Sequence, residues 1–207
     1  MDSHRKEKFI LIIILLLAVG ARLYLYDANY YGEDFFYHYS VVEQSLERNK
    51  FSSQNDLVVC YEGAKEGHPI GYYMLPYALG KIIGIEEAFF IVPIFFGILT
   101  ILLVYMLIKL LFGVRVAQLT AFFLAVSIAH LVKSIPHTYR GDNIIYPFII
   151  GSLICLYKSF KEKGTKKGLR YAVFAGLISG SSMFVWNGYP LLIVIYVMTF
   201  LCYLTYT

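Results

Sequence analysis

Two clusters in this sequence combine carboxylates with groups that could share their work. In Tyr30-Tyr31-Gly32-Glu33-Asp34-Phe35-Phe36-Tyr37-His38-Tyr39, adjacent acids sit among aromatic rings and a histidine. In Lys133-Ser134-Ile135-Pro136-His137-Thr138-Tyr139-Arg140-Gly141-Asp142-Asn143, an acid follows two cations and a histidine. Two carboxylates brought from separate loops, here Asp34 and Asp142, can hold one divalent cation, a hard ion that prefers oxygen ligands. His137 or His38 could add a ligand, and Lys133 and Arg140 could neutralise phosphate charge. A metal bridging a diphosphate would act as a Lewis acid on the leaving group. Asn143 and Trp186 complete the set of candidate substrate contacts. Each residue also has a plainer reading: Asp142 as a helix N-cap, Arg140 and Trp186 as interface anchors, Glu33 and Asp34 as a solvated cap in an aromatic belt. Spacing alone does not choose between the two.

The elements that must position these residues are membrane helices. The chain of 207 residues is 58% hydrophobic and 17% aromatic with 15% charged, a composition of polytopic membrane proteins. Apolar runs of a length that crosses a bilayer can be marked at 9–26, 88–111, 114–132, 144–160, 171–186 and 191–206. The expected fold is thus an all-α bundle of about six transmembrane helices, one domain over 1–207, with a long external loop at 27–87. That loop is too long for a plain connection and is expected to carry function. Within it, Phe36–Leu46 has the mixed spacing of a helix lying on the membrane, and Pro69–Tyr77 reads as an aromatic interfacial segment. The N-terminal apolar run is expected to remain as a signal anchor, because it is longer than a signal-peptide core.

Charge sets the orientation. With the N-terminus cytoplasmic, eleven of the eighteen Lys and Arg residues and only three acids lie on that side, as the positive-inside rule requires. The opposite side receives six basic residues and eleven acids, and Arg22 stays inside the first span. The candidate residues Asp34, Lys133, His137, Arg140, Asp142 and Trp186 all fall on the extracytoplasmic face. Lys158 to Arg170 is then a topology signal, and nucleic-acid binding is excluded because no basic groove-like face exists. Cys60, Cys155 and Cys202 are scattered, which suggests neither a disulfide framework nor a zinc site. His130 reads as a helix-packing residue, Glu86-Glu87 as a helix N-terminal charge pair, and Arg22 as either snorkelling or paired with a buried acid.

Three stretches carry a resemblance to a known family. Gly32-Glu33-Asp34-Phe35-Phe36-Tyr37-His38-Tyr39 followed by Val41-Val42-Glu43-Gln44, then Tyr139-Arg140-Gly141-Asp142-Asn143, then Phe184-Val185-Trp186-Asn187-Gly188-Tyr189 are similar, in order and spacing, to the two acidic motifs and the Trp-Gly-Tyr turn of oligosaccharyltransferase catalytic subunits. These are glycosyltransferases that use polyprenyl-linked sugar donors. The resemblance implies that Asp34 ligates Mn²⁺ or Mg²⁺ and contacts the acceptor asparagine amide, that Asp142 is a second ligand, and that both are catalytic. It implies transfer of an oligosaccharide from a polyprenyl monophosphate or diphosphate carrier in the membrane lipid to Asn in Asn-x-Ser/Thr of an acceptor polypeptide, with inversion. The enzyme would act on the outer face of a prokaryotic cell membrane or on the lumenal side of the endoplasmic reticulum.

The pattern also departs from that family. A further acid or His two positions from the second-motif Asp is replaced by Arg140 and Ile144, so His137 or Asn143 substitutes, or the site works with fewer protein ligands. The later catalytic Glu and the soluble acceptor-binding domain lie outside these residues, so the chain is expected to be the N-terminal part of a longer protein, inactive alone. Two alternatives stay open. One is a related polyprenyl-phosphate-sugar transferase acting on another protein or lipid. The other is a non-enzymatic membrane subunit or transporter, against which the nearly charge-free spans and the absence of a repeat argue.

Overall fold

The computed structural model describes residues 3–27, 35–51, 69–190 and 193–198. All the regular secondary structure among the described residues is helical, with no strand. The helices are α1 (Ser3–Tyr24), α2 (Phe35–Glu47), α3 (Ile70–Ile83), α4 (Ile85–Phe112), α5 (Val114–Val126), α6 (Ile128–Leu131), α7 (Gly141–Lys161) and α8 (Lys166–Ser181), followed by a 3₁₀ turn at Ser182–Phe184. Residues 193–198 are helical as well.

Two of these helices, α4 and α7, are long and apolar enough to cross a membrane. The 28 residues of α4 rise roughly 42 Å at 1.5 Å each, more than a hydrocarbon core of about 30 Å. Large apolar side chains stand exposed along α1 (Phe9, Ile13, Leu16), α5 (Leu119, Phe123) and α8 (Val173, Phe174, Leu177). Exposed apolar surface on several helices at once is what lipid covers in an integral membrane protein. Inside, α1, α4 and α5 meet over Ile14, Ala18, Ile101 and Tyr105, with Ala117, Ala121 and Ala125 facing them at one-turn spacing. Small residues at that spacing let backbones approach where no water drives helices together.

The connections put the two ends of the bundle in register. At one end, Glu7 of α1 is ion-paired with Lys109 of α4 and accepts from Tyr105 Oη at 2.7 Å. The turns at Gly113 and at 162–165 belong to this end by connectivity. At the other end, Tyr26 beyond α1 packs its ring edge-on to Phe90 at 5.2 Å and to His137 at 5.4 Å. The described parts of the long 27–87 loop, α2 and α3, dock there on α4. One face of α2 is buried through Phe35, His38, Val41, Val42 and Ser45. It joins Tyr72, Tyr73, Phe89, Val92, Phe96, Tyr139, Ile144 and Val185 in one cluster.

Three expectations are altered. The run 114–132 is not one continuous helix: Ser127, with extended backbone at φ −66° and ψ 122°, breaks it into α5 and α6. The helix that carries the fifth apolar run starts ahead of it, at Lys166, where Thr165 Oγ1 caps it by accepting from Gly168 N at 2.9 Å. Asp142 is not the N-cap of α7. Arg140 holds that position, and Asp142 lies in the first turn, where its Oδ1 accepts from Asn143 N at 3.1 Å. Asp34, Glu33 and most of 191–206 lie outside the described residues.

Candidate functional site

The loop from Lys133 to Arg140 is docked by carbonyls that prolines release. A proline inside a helix cannot donate to the carbonyl four residues back. Pro76 in α3 therefore frees Tyr72 O, and Tyr139 Oη donates to that oxygen. Pro93 in α4 frees Phe89 O, and His137 N donates to it at 3.4 Å. The grip is reciprocal, since Tyr72 Oη donates to Tyr139 O at 3.0 Å. Asn143 adds a third tie, its Nδ2 donating to Pro93 O at 3.0 Å.

The start of α7 is held equally closely. A Cβ on Gly141 would lie 3.0 Å from Trp186 Cδ1 and 3.3 Å from Tyr72 Cε2, so any side chain here would press on the indole and the phenol that close over this backbone. A Cβ on Gly71 would strike the carbonyl of Phe184. Three segments thus converge: the start of α3, the Tyr139–Asp142 stretch, and the 3₁₀ turn leading to Trp186.

At this convergence the Asp142 carboxylate is partly exposed and flanked by cations. Lys133 Nζ is ion-paired with Asp142 Oδ2, and Arg140 Nε lies 3.6 Å from Oδ1. The Asp142 hydrogen bond raises the Lys133 ammonium above its usual value, burial opposing it. The three side chains carry a net charge of +1. Exposed pairs of this kind contribute little to stability, up to about 1 kcal/mol; what they offer is a fixed cluster of donors.

His137 faces elsewhere. Its backbone is left-handed at φ 60°, an uncommon conformation for a residue with a Cβ. Its ring packs on Tyr26, on Phe35 at 5.2 Å and on Phe90 at 6.0 Å. Burial lowers its pKa, with Glu86 acting in the opposite direction. It borders a cavity of about 310 Å³ lined by Tyr26, Glu86, Glu87, Phe90 and Ile91. His38 lies inside the aromatic core, its Nδ1 2.8 Å from Tyr73 Oη and its ring 4.9 Å from that of Tyr72. Asn143 is 1% exposed with its amide turned into the bundle, and its Oδ1 has no hydrogen bond among the described residues.

The structure therefore brings together Lys133, Arg140, Asp142 and, across Gly141, Trp186. It places His137, His38 and Asn143 in packing positions around them. Among the described residues no three His, Cys, Asp or Glu side chains are grouped to hold a metal ion. One carboxylate under two cations is not by itself a metal centre, and these residues alone do not fit one. Sequence reading missed Tyr72, Pro93 and the surroundings of Arg22. The prolines were the available signal, because each one inside an apolar helix announces a carbonyl that something else must satisfy.

Arg22 does not snorkel, and among the described residues it meets no acid. It is fully buried, with Nη1 donating to Ala18 O at 2.7 Å, Nε to Ser134 Oγ at 3.0 Å and Nη2 to His130 Nδ1 at 2.8 Å. His130 is accordingly more than a packing residue.

Residues 68–207 match the family model of dolichyl-phosphate-mannose-protein mannosyltransferases, a stretch that includes α3 to α8 and the Asp142 cluster. The chain belongs to this family. Within the mannosyltransferase family setting, it is 30% identical over 199 residues to dolichyl-phosphooligosaccharide-protein glycotransferase 2 of Pyrococcus horikoshii, covering 89% of this chain and 26% of that protein. It is 28% identical over 198 residues to glycotransferase 1 of Pyrococcus furiosus, covering 89% and 20%. The fold matches the archaeal oligosaccharyltransferase AglB of Archaeoglobus fulgidus, solved with an inhibitory peptide and a dolichol-phosphate, at a TM-score of 0.80 and 20% identity over 92% of this chain and 25% of that one. A second Archaeoglobus fulgidus oligosaccharyltransferase, solved with Zn and sulfate, aligns at a TM-score of 0.70 and 18% identity, covering 88% and 26%. These relatives bear out the resemblance to oligosaccharyltransferase catalytic subunits. The chain spans about a quarter of the length of the relatives it matches.

Proposed function

We propose that these residues form the donor-binding face of a glycosyltransferase that moves an oligosaccharide from a polyprenyl-phosphate carrier to asparagine in Asn-x-Ser/Thr of an acceptor polypeptide. The observation that carries the reading is the cluster in which Lys133 and Arg140 flank Asp142 beside Trp186. Lys133 and Arg140 supply charge-assisted donors for phosphate oxygens. These bonds strengthen as negative charge gathers on the departing phosphate, which favours the transition state over the bound donor. The amide nitrogen of the acceptor attacks the anomeric carbon, the bond from that carbon to the phosphate oxygen breaks with inversion of configuration, and the proton the nitrogen loses leaves with the released phosphate.

Asp34 and Asp142 are the proposed catalytic carboxylates. Residue 34 is joined by one peptide bond to Phe35, whose ring lies against His137 in the loop that leads to Asp142. A divalent cation, Mn²⁺ or Mg²⁺, held by Asp34 and Asp142 would supply charge neutralisation at the phosphate. The proposed topology has six spans, a cytoplasmic N-terminus and this face extracytoplasmic.

The test is Asp34→Ala and Asp142→Ala in the full-length protein, assayed on an Asn-x-Thr peptide with membrane lipid extract as donor. Both are expected to lose activity at normal expression, and full activity in both would end the reading. The description of the matched family favours a second reading, sugar transfer from a polyprenyl monophosphate to a different acceptor. An active protein that ignores the Asn-x-Thr peptide would support it.

A further inference from the structure

We infer that Arg22 is a positioning residue for the Asp142 cluster, acting through Ser134 and His130; the inference rests on the reading that this cluster works on the donor. A guanidinium only donates, so His130 Nδ1 must present its lone pair and the ring must be neutral with its proton on Nε2. Ser134 Oγ accepts a hydrogen bond from Arg22 Nε and donates its own to His130 O at 2.7 Å. The fork thus binds two residues of one short segment, flanking Lys133, to the last turns of α1.

The surroundings are shaped for this. A Cβ on Gly97 of α4 would lie 2.6 Å from Ser134 Cβ and 2.9 Å from Arg22 Nε, so the missing side chain is the space the pair occupies. The break at Ser127 redirects the chain so that both His130 and Ser134 reach α1. Among the described residues no carboxylate forms an ion pair with Arg22.

Stability does not explain such a group. A cation buried without a counter-charge destabilises a bundle that an apolar side chain of like size would fill at lower cost. What arginine provides and an apolar chain lacks is several donors in a fixed plane. Here that plane fixes the segment carrying Lys133, whose ammonium is aimed at Asp142. Arg22 touches neither donor nor acceptor in this account; it sets where Lys133 stands.

The experiment uses the full-length protein in lipid, comparing wild type, Arg22→Met/His130→Leu and Arg22→Lys. The double variant removes Arg22 together with its His130 acceptor; Ala18 O and Ser134 Oγ each lose one donor, and Ser134 Oγ still donates to the carbonyl of residue 130. Expected for it are an unchanged or higher melting temperature, a kcat reduced tenfold or more, and a KM for the acceptor peptide within about twofold of wild type. Acylation of Lys133, followed by mass spectrometry, should become severalfold faster as the ammonium loses its place. Arg22→Lys should remain impaired, because an ammonium cannot span Ala18 O, Ser134 Oγ and His130 Nδ1 together. A double variant with wild-type kcat and unchanged Lys133 acylation would overturn the inference, and so would full rescue by Arg22→Lys. Full activity in both Asp34→Ala and Asp142→Ala would instead sink the proposed function, while faster Lys133 acylation in the double variant would still uphold the clamp.

Discussion

At the scale of single residues, the cluster turns on one carboxylate shared by two cations of different kind. Lys133 is a point charge on a flexible stem, whereas Arg140 presents a planar fork and stands half exposed at the N-cap of α7. Lys133→Met leaves Asp142 with Arg140 and removes one donor to phosphate. Hydrogen bonds to charged groups are worth about 1.5–3 kcal/mol, and this one is made most strongly in the transition state, so kcat should fall roughly 10- to 100-fold by that estimate. Acceptor-peptide KM and melting temperature should move little, which steady-state kinetics and a thermal melt can check together. Gly141→Val has a different signature. Its side chain enters the space of Trp186 and Tyr72, and overpacking of this kind costs about 1–3 kcal/mol. The melting temperature should fall along with activity, and native Trp186 fluorescence should report a displaced indole.

At the scale of elements, the docking of the Lys133–Arg140 loop depends on helices that are locally imperfect. Proline in a helix interior costs about 3 kcal/mol relative to alanine. In α4 that cost is accompanied by a free Phe89 carbonyl for His137 N and a Pro93 carbonyl for Asn143 Nδ2. Pro93→Ala returns an N–H to the helix, which then competes with His137 for Phe89 O. The expected outcome is an α4 at least as stable in a thermal melt but an enzyme several-fold slower, with His137 more accessible to diethyl pyrocarbonate. A variant both slower and less stable would mean that the proline shapes the bundle as a whole and not the loop. The sequence shows Pro93 plainly, in the middle of an apolar run. It does not show which group takes the carbonyl, because His137 is 48 residues away from Phe89 along the chain (137 − 89).

At the scale of the whole molecule, the charge asymmetry and the antiparallel helices give a single testable arrangement. Exposed Lys50, after α2, and exposed Lys166, at the start of α8, belong to opposite ends of the bundle. In a variant lacking the three native cysteines, Lys50→Cys should react with a membrane-impermeant maleimide in intact cells, and Lys166→Cys only after permeabilisation. The reverse pattern would place the Asp142 cluster on the cytoplasmic side and exclude a lipid-linked donor presented outside.

Composition and order determined a good deal by themselves. The runs that became α1, α4 and α7 are legible because a membrane span is decided locally: each needs only enough consecutive apolar residues to satisfy its own backbone in lipid. The helical stretch Phe36–Leu46 was legible for a related reason, since its apolar spacing needs a partner but not a particular one, and α2 occupies Phe35–Glu47. Even Asp142 and Lys133 could be picked out, as charges placed beside spans that hold almost none. The sequence could not assign their neighbours. Arg22 and Ser134 are 112 residues apart, Tyr72 and Tyr139 are 67 apart, and nothing in either local pattern specifies the other. A hydrogen bond inside a bundle is chosen by which backbones the packing brings within 3 Å, and that choice rests on small features such as Gly97, Gly141 and the break at Ser127. Tertiary structure alone decided that His38 and Asn143 face inward, that Arg22 is held by neutral partners, and that Asp142 is gripped by Lys133.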